Sequence, residues 1–195
     1  MASAKKALIM LHGRGASADD ILLLSAHFKL EDTAIFAPQA TNNSWYPYSF
    51  MAPVTQNQPA LDSALEVIKE LSEEITRSGI PADQLYFAGF SQGACLTLEY
   101  VTRNARQYGG IAAFTGGLIG QALDMDHYRG DFRKTPVLIT TGDPDPHVPV
   151  ERVELSAGIL KQMNADVQVS IFSGRPHIIS PKEIELAREL VFVAR

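Results

Sequence analysis

The sequence predicts an α/β fold: a mostly parallel central sheet flanked by helices, in a single domain over residues 1–195. Three observations predict it. Short apolar runs recur at 7–11, 34–37, 85–88, 111–114, 137–140 and 167–172. Most are apolar at nearly every position, as strands buried on both faces of a parallel sheet should be. Segments of helical periodicity lie between them, and such alternation implies helices packed against the sheet. A chain of 195 residues suits one core, because splitting it would leave two marginal ones.

The helices follow in order. Ser17-Ala18-Asp19-Asp20 reads as an N-cap with an acid at the third position, leading into 21–28. Pro59 suits a first helical turn. Leu61, Leu65, Ile68, Leu71 and Ile75 then make one apolar stripe, which Gly79 and Pro81 end. Residues 94–101 read as a helix, and Val150, Val153, Ala157, Leu160 and Met163 repeat the stripe. Ile184, Ala187, Leu190 and Val191 close the series. Residues 38–58 break the rhythm. They lack periodicity and are rich in Pro, Asn, Ser and aromatics. Loops this long are uncommon in compact domains and often functional, so this one is expected to lie over a site.

Composition excludes several classes. With 46% hydrophobic and 20% charged residues, the chain is not a disordered one. The net charge is −5 and the only clustered lysines are Lys5 and Lys6, so neither a nucleic-acid face nor a polybasic membrane patch is expected. The apolar run after Lys6 is five residues long, short of the roughly 7–15 of a signal peptide. No run approaches the ~20 residues of a membrane span. The single cysteine, Cys95, cannot form an internal disulfide. A cytoplasmic protein is expected.

Gly89-Phe90-Ser91-Gln92-Gly93 carries the chemistry. It matches the G-x-S-x-G elbow, and a strand precedes it while a helix follows. A strand that reverses sharply into a helix holds the serine in a strained conformation with its hydroxyl exposed. The residues two before and two after it must be small. A serine hydroxyl also needs a general base. Of five histidines, His12 and His27 precede the serine, against the Ser–acid–His order of α/β-hydrolases. His127 sits in a polar stretch. His147 and His177 each follow a strand, and a base on one loop with its acid on the previous loop favours His177. Asp145 is the preferred acid and Asp143 the runner-up, both in 142–149. Asp143, Asp145 and His147 match no strong zinc spacing, so neither metal nor cofactor is expected. The loop after the first strand, Leu11-His12-Gly13-Arg14-Gly15, is expected to supply one oxyanion N–H from Arg14, and Gln92 the other.

Taken together, 11–15, 89–94, 116–118, 142–149 and 174–177 resemble the phospholipase/carboxylesterase family, which includes the acyl-protein thioesterases. The resemblance runs in order along essentially the whole chain. It implies an α/β-hydrolase without a large cap domain, often a homodimer, with Ser91, Asp145 and His177 as the triad. It implies a carboxylic ester or thioester as substrate, cleaved through an acyl-enzyme on Ser91. An acyltransferase on the same triad and a non-catalytic binding protein on the same scaffold are the alternatives. The chain departs from the thioesterases at Arg14, where they usually carry an apolar residue. Two substrate contacts are expected: an apolar wall from the long loop, led by Trp45 and Tyr46, and an anion contact from Arg14 and Arg175.

Overall fold

The computed structural model describes residues 4–192. All six expected strands form: β1 (Lys6–Leu11), β2 (Thr33–Phe36), β3 (Leu85–Phe90), β4 (Gly110–Phe114), β5 (Pro136–Asp143) and β6 (Asp166–Ser173). They make one sheet in the order β2-β1-β3-β4-β5-β6, with every neighbouring pair parallel. The helices are α1 (Ala18–Ser25), α2 (Val54–Asn57), α3 (Ala60–Arg77), α4 (Gln92–Arg103), α5 (Val150–Gln162) and α6 (Pro181–Leu190).

The apolar strands are explained by two cores. Leu8, Met10, Tyr86, Ala88, Ala112, Phe114 and Leu138 face one of them, with Ile21 of α1 and Ala187 of α6. Ala7, Ile9, Leu11, Phe87, Ile111, Ala113 and Ile139 face the other, with side chains of α3, α4 and α5. Successive side chains thus enter opposite layers, and neither face of the central strands meets water. β6 is an edge strand, and its pattern alternates between exposed and half-buried.

Two helix starts differ from the expectation. The Ser17–Asp20 capping box forms, but it starts α1 at Ala18, so the helix ends at Ser25 and Phe28 is buried beyond it. α6 begins at Pro181, earlier than its stripe indicated, behind a second capping box between Ser180 and Glu183. Among the described residues no cap domain interrupts the sheet. The excursion from β2 to α3, 37–59, holds only the short α2 and a single tight turn at Thr41–Asn43.

Candidate active site

β3 ends at the sheet's centre and turns directly into α4, with Ser91 as the helix N-cap. Ser91 holds φ 54° and ψ −116°, and its N–H donates to the Phe114 carbonyl at 3.0 Å. The flanking glycines are required by contact. A Cβ on Gly89 would lie 2.4 Å from the Gly93 oxygen, inside the turn. A Cβ on Gly93 would lie 2.1 Å from the Leu11 oxygen, so the second glycine admits the end of β1 as well.

Two loops from the same sheet edge complete the arrangement. His177 Nε2 lies 2.8 Å from Ser91 Oγ, and His177 Nδ1 lies 2.8 Å from Asp145 Oδ2. A carboxylate only accepts, so Nδ1–H donates to Asp145 and Nε2 is left to accept the serine hydroxyl. The other oxygen, Asp145 Oδ1, accepts the N–H groups of His147 at 2.9 Å and Val148 at 3.0 Å. Burial acts to raise the Asp145 carboxyl, but the His147 N–H, the His177 ring and the Val148 N–H together hold it below the ordinary carboxylate range. Asp143 takes no part: its carbonyl accepts the Gly174 N–H and its residue is exposed.

The loop after β1 is braced from below by His12, which is fully buried. Its Nε2 accepts the Ala40 N–H at 3.1 Å and its Nδ1 faces the Gly13 carbonyl at 2.8 Å. Among the described residues, no acceptor pairs with the N–H of Arg14 or of Gln92. The Gln92 side chain grips the long segment, accepting from Trp45 N–H at 2.9 Å and donating to the Tyr46 carbonyl at 2.8 Å.

That segment does lie over Ser91. Tyr46, Tyr48 and Phe50 line a cleft of about 520 Å³ that also holds Arg14, Ser91 and His177. Trp45 does not line it. The indole is buried, donates from Nε1 to the His12 carbonyl at 2.9 Å and packs on the His12 ring, so it pins the loop to the body of the protein. Arg14 lines the cleft, but its fork is occupied: it donates to the carbonyls of Pro47 and Tyr48, each at 2.7 Å. Nor is Arg175 brought to the cleft. It is 7% exposed and its guanidinium turns inward to Thr115 and Glu183. The floor carries Cys95, one helical turn beyond Ser91. Burial pushes its thiol up to about 12, against the partial opposition of the Gly117 backbone and the Tyr46 hydroxyl.

The sequence reading missed a second hollow, of about 410 Å³, on the other flank of His177. Ile21, Leu24, Phe90, Ile178 and Ile184 give it apolar walls, and the largely exposed Leu23 stands at its rim. The signal was present as the consecutive Leu22, Leu23 and Leu24 of α1, which the capping box alone does not assign to a face.

Residues 2–193 match the phospholipase/carboxylesterase family. The crystal structure of a phospholipase/carboxylesterase from Dyadobacter fermentans DSM 18053 is 65% identical, with a TM-score of 0.95 over 96% of this chain and 90% of that one. A probable carboxylesterase SOBER1-like protein of Arabidopsis thaliana is 27% identical, covering 93% of this chain and 76% of its own. Acyl-protein thioesterase 1 of Saccharomyces cerevisiae is 28% identical, covering 93% of this chain and 89% of its own. With the elbow, both cores and all six strands inside the match, the chain belongs to the phospholipase/carboxylesterase family of the α/β-hydrolase fold.

Proposed function

We propose that this protein is a serine hydrolase that cleaves carboxylic esters through an acyl-enzyme on Ser91. The observation that carries the reading is the unbroken chain Ser91–His177–Asp145, two contacts of 2.8 Å, at the edge of an open cleft. His177 takes the Oγ proton as Oγ bonds to the scissile carbonyl carbon. The carbonyl oxygen becomes anionic and accepts from the N–H groups of Arg14 and Gln92, which have no other partner among the described residues. The imidazolium then protonates the leaving oxygen as its bond to carbon breaks. Water repeats the cycle to release the acid. Asp145 holds the ring in the required tautomer and stabilises its charged form.

A thioester is cleaved by the same steps, with a thiol leaving. The name of the yeast relative supports that substrate, and the name of the Arabidopsis relative supports an oxygen ester. An apolar part of the substrate fits the hollow beside Phe90 and Ile178, which adjoins the base. The lone, buried Cys95 supports work in the cytoplasm.

A fluorophosphonate probe tests the reading, together with hydrolysis of paired p-nitrophenyl and thioester substrates. The parent protein should be labelled on Ser91 and turn over at least one substrate of the pair, while Ser91→Ala and His177→Ala should do neither. Labelling that persists in Ser91→Ala, or a parent that is never labelled, overturns it. The second result would favour a binding protein on the same scaffold.

A further inference from the structure

Arg175 was expected at the substrate, yet its guanidinium is buried and points away from the cleft. One terminal nitrogen, Nη1, donates to the carbonyls of Pro176, at 2.9 Å, and of Ile178. These are the two peptide carbonyls on either side of His177 in the sequence. The other, Nη2, donates to Thr115 Oγ1 at 2.7 Å. Nε lies 3.4 Å from Glu183 Oε2.

Each of these partners is itself held. Glu183 is fully buried. Its Oε1 accepts the Thr140 hydroxyl at 2.5 Å, and its Oε2 accepts the N–H and hydroxyl of Ser180, each at 2.8 Å. Thr115 adopts φ 60°, and its N–H donates to the Thr140 carbonyl at 2.9 Å. The residue before it, Phe114, holds the N–H of Ser91. The guanidinium therefore joins the strand ends that anchor the nucleophile to the loop that carries the imidazole. That loop has little internal support. Between 174 and 180 its backbone N–H bonds to other backbone groups are Gly174 to Asp143, Arg175 to Phe172 and Ile178 to Pro176. A planar fork with fixed donor directions suits this task, and a lysine ammonium does not reproduce it.

We infer that Arg175, seated on Glu183, is a positioning residue that sets the distance between Ser91 and His177. It binds no substrate. The inference rests on His177 being the base. A misplacement of about 1 Å at a reacting group can lower a rate by roughly 100-fold, so loss of the fork should appear in the chemical step.

The test uses the full chain and an activated ester such as p-nitrophenyl acetate. Arg175→Gln should lower kcat and the fluorophosphonate labelling rate by about 10- to 100-fold, with KM within about twofold of the parent. Arg175→Lys should recover little. Arg175→Ala should regain rate on addition of guanidinium below denaturing concentrations, and equal sodium chloride should not substitute. A folded Arg175→Gln with parental kcat, a loss carried wholly by KM, or equal rescue by sodium chloride overturns the inference. Should the Arg175 variants fail to fold, Glu183→Gln decides by the same kcat and KM criteria. His177→Ala separates the two readings. If it is inactive while Arg175→Gln has parental kcat, the positioning role alone fails. If it labels at the parental rate, the base assignment fails and the inference falls with it.

Discussion

Ser91 occupies a backbone region, φ 54° and ψ −116°, that costs a non-glycine residue about 1–3 kcal/mol. The Phe114 carbonyl, the start of α4 and the glycine contacts hold it there. Asp145 is constrained as firmly, by two backbone N–H groups and the His177 ring. Its carboxyl is depressed, so its contribution is complete above the unfolded carboxylate value and is lost only as pH falls through the lower folded one. Asp145 therefore stays ionised into more acid solution than an ordinary carboxylate does. The acid limb of kcat/KM should follow a single proton, and a limb of slope two would contradict this. Asp145→Asn should lower kcat by about ten-thousand-fold at neutral pH with the fold intact, because the amide no longer fixes the ring tautomer. The elbow and the chain order single out Ser91 and His177, and the structure brings the two side chains within 2.8 Å. The choice of Asp145 over Asp143 was only partly legible in the sequence. A proline follows each candidate, and the choice depends on which carboxylate the N–H groups of His147 and Val148 capture.

The strands were legible because burial on two faces leaves no room for polar side chains, and the one strand that alternates, β6, proves to be an edge. Only Ala37, expected at the end of β2, falls outside its strand. Starts of helices were less legible where the stripe alone was read. Ser180-Pro181-Lys182-Glu183 carries a capping signature, and it was overlooked although α6 starts there. The further partner of Glu183, Thr140, lies 43 residues away in sequence, so no local pattern exposes the link to β5. The 38–58 segment was read correctly as covering the site, but its aromatics divide: Tyr46 and Tyr48 face the cleft while Trp45 anchors the loop. Arg14 does for this segment from above what Gln92 does from below. Arg14→Ala should free the Pro47 and Tyr48 carbonyls and raise KM by the same factor for neutral and anionic esters of equal size. Steady-state kinetics on such a pair checks it, and a loss confined to the anionic ester would restore a charge-reading role.

Across the molecule, helices cover both faces of the sheet and the chemistry is left to loops at one edge, without an inserted domain above them among the described residues. The cleft at Ser91 is then open to solvent without a large closure. Hydrolysis of an ester taken through its micellar threshold should follow simple saturation, and a jump in rate at that threshold would contradict an open cleft.

The cleft floor sets two would-be attackers one turn apart, and they have opposite fates. The oxygen of Ser91 has the His177 ring nitrogen beside it, whereas the sulfur of Cys95 keeps its proton far into the alkaline range. Oxidants and alkylating agents that silence thiol-dependent hydrolases thus meet a masked sulfur here. Tight packing around one side chain doubles as chemical armour for the catalyst.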